Sequence, residues 1–284
     1  MIVSGAVSGH MSVILHFPSE METNGNSLST SYHEVSRQID DGREIDALRY
    51  VFELPPEELD ILRNNPLKVV DAIDEFGTSK FLQNVGRHKG QLVTEQIRNV
   101  QPGTMVELGS YIGYSSVLFG YYVRAYGPKG AKLISIEHNP LFGAITMAFI
   151  ELAGLKDTVD VIIGGSTESI RRLHDQGRLD SIDLMFMDHL RPLFLTDLKL
   201  AETLRLIHPG TLVIANKILK PGNQAYLRYL RLPTEEKQYE SDLKKDRIGD
   251  WRYCYDSTMI ETIEPTGTKV RSSSLACVGF PRPY

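Results

Sequence analysis

A glycine-containing segment that begins with a carboxylate is the first part of the chain whose residue types could do chemistry. It reads Glu107-Leu-Gly-Ser-Tyr-Ile-Gly-Tyr-Ser115. Gly109 and Gly113 permit a tight turn and the close approach of a ligand to bare backbone. Their spacing differs from the G-x-G-x-x-G pattern that binds a pyrophosphate at a helix N-terminus, which argues against NAD. Glu107 would also repel a diphosphate, whereas its charge suits a cationic ligand.

Three further polar groups follow short apolar segments later in the chain. Glu137 is placed to accept both hydroxyls of a ribose, although a solvated acid at a strand end fits the pattern equally well. Residues 164–167, Gly-Gly-Ser-Thr, either contact an adenine edge or cap a helix. Asp188 and His189 place an acid and an imidazole at a fourth such position. Together with residues 107–115, these groups indicate an adenosyl ligand with a positive charge, which S-adenosylmethionine fits.

Alternating strands and helices must position these groups. Apolar strands are predicted at 104–108, 132–137, 159–163, 182–187 and 210–215. Amphipathic helices are predicted between them, at 114–126, 141–155, 169–174 and 193–207. This alternation predicts a doubly wound, mostly parallel α/β sheet, whose ligands bind beyond the carboxyl ends of the strands. An antiparallel hairpin is predicted at the sheet edge from strands at 253–264 and 273–280, with a turn at 265–268.

The ends of the chain complete the predicted organisation. Residues 1–43 are interpreted as a flexible arm, since their segment rich in Ser, Gly and Thr has no apolar periodicity, and residues 44–284 as a single domain. Helices are predicted at 45–52 and around 67–77 from apolar residues at i, i+3, i+4 spacing. The densely charged segment 235–247 predicts a solvated loop. The arm either covers a pocket or pairs with a second subunit, and the sequence leaves a homodimer open.

Composition limits the classes of partner and the compartment. The chain has 284 residues, with 31 Lys and Arg against 36 Asp and Glu, and its net charge of −5 disfavours nucleic acid, which requires a concentrated basic face. Two cysteines are too few for a disulfide scaffold and suit a reducing compartment. No apolar stretch has the length of a membrane helix, and no basic segment precedes the short apolar run at 11–17. We therefore expect a cytoplasmic protein that acts on small molecules, with neither membrane anchor nor signal peptide.

Several ordered strings, at consistent spacing, resemble the catechol O-methyltransferase family over roughly residues 44–232. They are Leu48-Arg-Tyr-Val51, Val70-Asp-Ala-Ile-Asp74, Asn84-Val-Gly86, Lys89-Gly-Gln91, the segment 107–115, Asn139-Pro140, Ala153-Gly-Leu155, Met187-Asp-His189 and Lys220-Pro-Gly222. Ordered matches of this kind are more specific than any single motif. The resemblance implies a Rossmann-like methyltransferase domain that uses S-adenosylmethionine.

Carried over residue by residue, the resemblance implies a cofactor site. The methionine part of the cofactor would be lined by Val85, Glu107, Gly109, Tyr111 and Ser115. Glu137 would bind the ribose, with His138 beside the adenosine. The adenine would be bordered by Gly165, Ser166 and Thr167. His189 would pack near the adenine or ribose, and Asp188 would lie nearest to the sulfonium.

The resemblance breaks down at the metal site. Members of the family hold Mg2+ with an Asp after the fourth strand and an adjacent Asp-Asn pair after the fifth, and a Lys three residues beyond the first Asp is the base. This chain keeps Asp188 but has Asn216 and Lys217 at the pair and Arg191 at the base position. Mg2+ is held weakly unless carboxylates offset its charge, and an ammonium beside it is repelled by several kcal/mol at an effective dielectric of about 20. We therefore expect no metal ion at this site.

The substitutions leave Lys217, Asp188, Arg191 and His189 as candidate catalytic residues. Lys217 and Arg191 could hold an anionic acceptor, either a phenolate or a carboxylate. For a hydroxyl acceptor, the candidate base is His189 or a deprotonated Lys217, because a guanidinium does not lose its proton. We therefore expect methylation of a small-molecule hydroxyl or carboxylate. Two alternatives stay open: an enzyme that performs a cyclisation or elimination, and a cofactor-binding protein in which Lys217 only pairs with Asp188.

Overall fold

The structure is a computed structural model that describes residues 40–216, 223–244, 248–262 and 273–282. Within these residues the strands are β1 (Thr104–Leu108), β2 (Lys132–Glu137), β3 (Val159–Ile163), β4 (Leu184–Met187), β5 (Leu212–Ala215), β6 (Cys254–Thr262) and β7 (Ser273–Arg282). They form one sheet in the order β3-β2-β1-β4-β5-β7-β6. Strands β1 to β5 are parallel, and β7 joins both β5 and β6 antiparallel. The predicted sheet and edge hairpin are confirmed, whereas the predicted turn at 265–268 lies outside the described residues.

Helices precede the sheet and alternate with its strands. In the described residues they are α1 (Arg43–Phe52), α2 (Pro56–Leu62), α3 (Pro66–Ser79), α4 (Gly86–Val100), α5 (Tyr114–Tyr126), α6 (Pro140–Leu152), α7 (Ser166–Asp175), α8 (Phe194–Thr203), α9 (Gln224–Arg231) and α10 (Thr234–Lys244). The helices predicted at 45–52 and 67–77 are α1 and α3. Among these helices, none has both the length and the apolar composition needed to cross a bilayer.

Both faces of the parallel sheet are covered by apolar packing. Successive strand residues point to opposite faces, so Met105 of β1 lies in the core beneath α3–α6, while Val106 lies in the core beneath α7–α9. Phe119 of α5 packs edge-on against Phe186 of β4, with ring centroids 5.2 Å apart. This two-sided burial explains why the strand sequences are almost continuously apolar, and it leaves the carboxyl ends of the strands as the edge at which polar residues collect.

The prediction of a solvated loop at 235–247 is wrong for most of that segment, because residues 234–244 form α10. Lys237 is almost fully buried, donates to the carbonyl of Tyr253 at 2.7 Å and lies 4.2 Å from the ring centroid of Tyr229. Burial lowers the pKa of Lys237 and raises the pKa of Glu202, a buried acid of α8 that accepts hydrogen bonds from Tyr229 and Tyr255. The charged pattern therefore gives no sign that Lys237 is buried and links α10 to the residue before β6.

Candidate functional site

Backbone hydrogen bonds extend the sheet one residue past the carboxyl ends of its central strands. Asp188 N donates to Leu108 O at 2.9 Å. Asn216 N donates to Met187 O at the same distance. These bonds align Gly109, Asp188 and Asn216 along one edge, where ligands bind in open α/β sheets. The structure therefore brings together three of the positions that the sequence analysis singled out separately.

Glu107 is a fully buried acid near the carboxyl end of β1. Its Oε2 accepts hydrogen bonds from the hydroxyls of Ser116 and Ser135, the latter at 2.7 Å. Its Oε1 is buried and has no hydrogen-bond partner among the described residues. Burial raises the pKa of Glu107 from 4.5 to about 7, hydrogen bonds from Ser115, Ser116 and Ser135 oppose the rise, and the charge of Asp188 adds to it. A cation placed at Oε1 would stabilise the ionised form.

Glu137, at the end of β2, organises the neighbouring loop through its carboxylate. Its Oε2 accepts from the backbone N–H of Ser110 at 3.0 Å and of Tyr111 at 2.8 Å, and its Oε1 accepts from Asn139 N at 2.8 Å. Burial raises the pKa of Glu137, and these backbone hydrogen bonds oppose the rise. The backbone of His138 also contributes, so four consecutive or neighbouring backbone groups hold this one carboxylate in place. His138, the next residue, is exposed.

Tyr111 holds the loop between β1 and α5 in an unusual conformation. Its φ of 51° lies in the left-handed region, which residues other than glycine rarely adopt. The hydroxyl donates to Glu44 of α1 at 2.6 Å, the ring packs edge-on against Phe142, and the carbonyl accepts from Thr146. Contacts with α1 and α6 therefore fix the loop that forms one wall of the site.

Two further predicted cofactor residues, Ser115 and Val85, are buried at the starts of α5 and α4. Ser115 is buried in the first turn of α5, where its hydroxyl helps to keep the pKa of Glu107 down. Val85 is buried immediately before α4. The side-chain oxygen of its neighbour Asn84 is buried without a hydrogen-bond partner in the described part of the chain. The α4 N-terminus, which the sequence analysis did not predict as a helix start, thus supplies a second unused polar atom.

Gly109 lies where the β1 loop meets the loop after β4. A methyl group at this position would lie 2.9 Å from the backbone N and Cα of His189, and the φ of Gly109 is +88°. Gly130 has a similar φ of +86°, but a methyl group there would have no heavy atom within 4 Å. The two glycines therefore share backbone strain and differ in packing.

Gly109→Ala is expected to lower the free energy of unfolding by about 2 kcal/mol more than Gly130→Ala, because only the first adds a collision to the left-handed strain. Chemical denaturation measures both variants against the parent protein. Gly109→Ala is also expected to weaken binding of S-adenosylhomocysteine, since the collision moves His189, and Gly130→Ala to leave it unchanged. Equal destabilisation by the two variants would contradict the packing argument.

Ser166, Thr167 and His189 meet at a residue that the sequence analysis missed. Helix α7 begins at Ser166, three residues earlier than predicted and directly after Gly165. Asp197 of α8, which is fully buried, accepts from Ser166 at 2.6 Å and Thr167 at 2.5 Å. His189 Nε2 lies 2.8 Å from the same carboxylate. The turn after β3 and the loop after β4 are therefore joined through one acid.

A signal for Asp197 is present in the sequence. It lies among Phe194, Leu198 and Ala201, which share the buried face of α8. An acid within the apolar stripe of a helix requires a polar partner, since buried charges are paired or hydrogen-bonded. The sequence predicts the helix at 193–207, and an acid within its apolar face is the signal for a buried polar partner.

The positions that correspond to the family's metal ligands hold a direct side-chain contact. Asn216 is fully buried, and its Nδ2 donates to Asp188 Oδ2 at 3.0 Å. Its Oδ1 is buried without a partner among the residues described. Lys217 lies outside the described residues. Arg191 begins a short 3-10 turn, and its carbonyl accepts from Asn223 at 2.6 Å. Over the described ranges, no group of three His, Cys, Asp or Glu residues is placed to hold a metal ion.

Comparison with known proteins gives consistent results. The sequence pattern of a family described as Methyltransferase domain matches residues 106–218. Catechol O-methyltransferase of Bos taurus is 39% identical over 168 residues, covering 59% of this chain and 60% of that protein. Catechol O-methyltransferase B of Danio rerio is 34% identical over 191 residues, covering 66% of this chain and 71% of that protein. The chain thus spans about three fifths of the bovine relative.

Solved structures share the fold. The SAH-bound Podospora anserina methyltransferase PaMTH1 superposes with a TM-score of 0.51 at 15% identity, covering 94% of this chain and all of that chain. Identity at this level supports the fold alone. The relationship at the level of sequence rests on the Danio rerio protein, of which more than two thirds is matched. The chain belongs to the catechol O-methyltransferase family.

Proposed function

We propose that this protein methylates an oxygen atom of a small molecule and takes the methyl group from S-adenosylmethionine. The observation that carries the proposal is that the buried Oε1 of Glu107, near the carboxyl end of β1, has no hydrogen-bond partner in the part of the chain that is described. When bound, S-adenosylmethionine supplies a methyl group on a positively charged sulfur. Membership of the catechol O-methyltransferase family supports the same activity.

The residues at the sheet edge suit this cofactor. Glu107 offers an acceptor to a cation, and Gly109 lets the loop after β1 pack directly against the backbone of His189. We assign the methionine part to these two residues with Val85, Tyr111 and Ser115. Glu137 and His138 are assigned to the ribose and adenosine, Gly165, Ser166 and Thr167 to the adenine, and His189 to the adenine or ribose. Asp188, an acid in the same row, would lie nearest to the sulfonium and stabilise its charge.

The same edge does not suit Mg2+. The amide group that faces Asp188 is a donor, because only Nδ2 of Asn216 can form a hydrogen bond with a carboxylate. An amide at position 216 also brings no negative charge to offset that of a divalent cation, whereas the family has a carboxylate there. The third family position is Lys217, and an ammonium does not bind a cation. We therefore propose methyl transfer without a metal ion and derive no step through one.

A hydroxyl acceptor explains Asn216 better than a carboxylate acceptor does. Its Oδ1 is a buried acceptor without a partner in the part of the chain described, and such a group costs stability until a donor reaches it. A hydroxyl supplies a hydrogen, whereas an ionised carboxylate has none. Lys217 and Arg191 are then assigned to stabilise the oxyanion that forms, and Lys217, if its pKa is lowered, is the candidate base. With Nε2 of His189 engaged by Asp197, only Nδ1 of that ring is left to accept a proton.

Turnover tests the proposal. The purified protein is incubated with S-adenosylmethionine and a panel of phenols, alcohols and carboxylic acids, with a chelator and then with added Mg2+. We expect a hydroxyl compound to gain one methyl group by mass, at a rate that the chelator leaves unchanged. A product without the added methyl group would instead favour a cyclisation or elimination, and cofactor binding without any product would favour a non-catalytic protein. Activity that requires Mg2+ would contradict the account of Asn216 and Lys217.

The cellular setting is proposed from composition alone. The net charge of −5 disfavours nucleic acid as substrate, and the two cysteines suit the reducing cytoplasm.

A further inference from the structure

Asp197 determines the hydrogen-bonding character of three neighbouring side chains. Its Oδ2 accepts from Ser166 Oγ at 2.6 Å and lies 2.8 Å from His189 Nε2, and its Oδ1 accepts from Thr167 Oγ1 at 2.5 Å. His189 also stacks on Phe194, with ring centroids 4.9 Å apart, which fixes the plane of the imidazole. Two loops and a helix therefore share one fully buried acid.

Each of the three side chains donates its hydrogen to Asp197 and keeps only acceptor capacity. A hydroxyl has one hydrogen, so Ser166 and Thr167 can offer only oxygen lone pairs to a ligand. A carboxylate has no hydrogen to give, so the hydrogen between it and His189 is on Nε2, and Nδ1 is the ring nitrogen left for a ligand. His189 Nδ1 is buried and has no partner in the residues that the structure describes. The side chains of this cluster therefore offer a ligand hydrogen-bond acceptors and few donors.

The position of the cluster relates it to the base of a bound nucleoside. Glu137, the proposed ribose ligand, ends β2, and Gly164, which leads into α7, follows the adjacent β3 and donates to the carbonyl of Glu137 at 2.9 Å. A nucleoside whose ribose is held at Glu137 therefore has the turn at Ser166 and Thr167 beside it. Gly165 has no side chain that could cap α7, so the first backbone N–H groups of the helix are donors next to the hydroxyl acceptors.

We propose that Asp197 makes the site specific for a 6-aminopurine over a 6-oxopurine, an inference that rests on the proposed cofactor. The edge of adenine has an amino donor beside the N1 acceptor, which complements hydroxyl acceptors beside backbone donors. Hypoxanthine reverses both, with an oxygen acceptor beside an N1–H donor. It would leave buried acceptors facing one another, and unsatisfied groups of this kind reduce affinity. Asp197 acts through Ser166, Thr167 and His189 and is a positioning residue.

Binding of two ligands that differ only in this edge tests the inference. S-adenosylhomocysteine and its deaminated analogue S-inosylhomocysteine are titrated into the parent protein and the Asp197→Asn variant by calorimetry. The parent is expected to prefer the adenosyl ligand by roughly 30-fold or more. In the variant the amide donates one hydrogen to the cluster, which frees one neighbour to donate, so the preference is expected to fall below roughly fivefold. The ratio of the two affinities is insensitive to a uniform loss of binding.

Control variants separate the possible outcomes. Asp175→Asn removes the same charge from the exposed C-terminal end of α7 and is expected to keep the full preference. If Asp197→Asn fails to fold, Ser166→Ala removes one acceptor and is expected to reduce the preference about fivefold. A parent protein that binds neither ligand would contradict the proposed function itself. A parent that binds both equally, or an Asp197→Asn variant that keeps the preference, would overturn the inference alone.

Discussion

Glu107→Gln is expected to weaken binding of S-adenosylmethionine about 100-fold near pH 8, while it stabilises the unliganded protein. The loss of binding follows from the removal of a carboxylate whose buried Oε1 has no partner within the described residues and is the acceptor assigned to the cation. The amide keeps an oxygen that can accept from Ser116 and Ser135, so the packing around it is retained. Weaker cofactor binding together with a higher free energy of unfolding would distinguish a binding role for Glu107 from structural damage, which lowers both.

The gain in stability follows from linkage. Burial raises the pKa of Glu107 from 4.5 to about 7, so the folded protein binds a proton more tightly than the unfolded chain. Stability is then lost as the pH rises from about 4.5 to about 7, in total by up to about 3 kcal/mol. Glutamine does not ionise, so the variant is expected to be about 1–3 kcal/mol more stable than the parent near pH 8, with the difference shrinking toward pH 4.5.

Calorimetry and denaturation at several pH values measure both effects. The dissociation constant of the parent for S-adenosylmethionine is expected to rise by up to about tenfold per pH unit below pH 7, because the carboxyl group must ionise to meet the cation. Glu107→Gln is expected to remove that slope, which separates Glu107 from histidines that titrate in the same range. Glu53→Gln, on an exposed acid after α1, is the control and should change neither quantity. A Glu107→Gln variant that binds as tightly as the parent would contradict the assigned role.

The fold and the positions of the site residues are largely predictable from the sequence. Strand periodicity and the rule that ligands bind at carboxyl strand ends are enough to bring Glu107, Glu137 and Asp188 to one edge, since each lies at the carboxyl end of a parallel strand. The sequence pattern predicts the start of α7 three residues late, because Ser166 and Thr167 are typical turn residues. In the structure they begin the helix and donate to an acid 31 and 30 residues away, respectively.

Long-range polar partners account for what the sequence did not predict. Asp197 and Lys237 both lie within helices, and local pattern treats an acid or lysine there as solvent-facing. Only the tertiary structure shows that Asp197 receives three hydrogens, or that Lys237 reaches the carbonyl of Tyr253. Likewise, the sequence reveals that Asn216 replaces a family carboxylate, but not that its amide donates to Asp188.

The double variant Asn216→Asp, Lys217→Asn is expected to convert the protein into an Mg2+-dependent enzyme. It restores the residue types that the family has at these two positions and changes the combined formal charge of positions 188, 216 and 217 from zero to −2. An aspartate at 216 cannot donate to Asp188, so the two carboxylates repel each other until a cation lies between them. At 4 Å and an effective dielectric of about 20, each charge–charge contact is worth roughly 4 kcal/mol.

Turnover with a chelator and with millimolar Mg2+ measures the conversion. Without metal, the double variant is expected to lose about 100-fold in turnover, because it lacks the cation assigned to stabilise the oxyanion. Added Mg2+ is expected to recover most of that loss, while the parent responds to neither addition. Calorimetric titration of Mg2+ should show binding only to the double variant.

The two single variants test whether Mg2+ is excluded by the combined charge of positions 216 and 217 or by one of the two residues alone. Lys217→Asn removes the fixed cation but adds no carboxylate, so it is expected to lose turnover without rescue by Mg2+. Asn216→Asp adds a carboxylate but keeps the ammonium, which pairs with it and repels the metal ion. If Lys217→Asn alone kept full turnover, the lysine would have no part in the reaction. If either single variant gained an Mg2+ response equal to that of the double variant, the exclusion of the metal would depend on one residue, and the joint charge argument would be wrong.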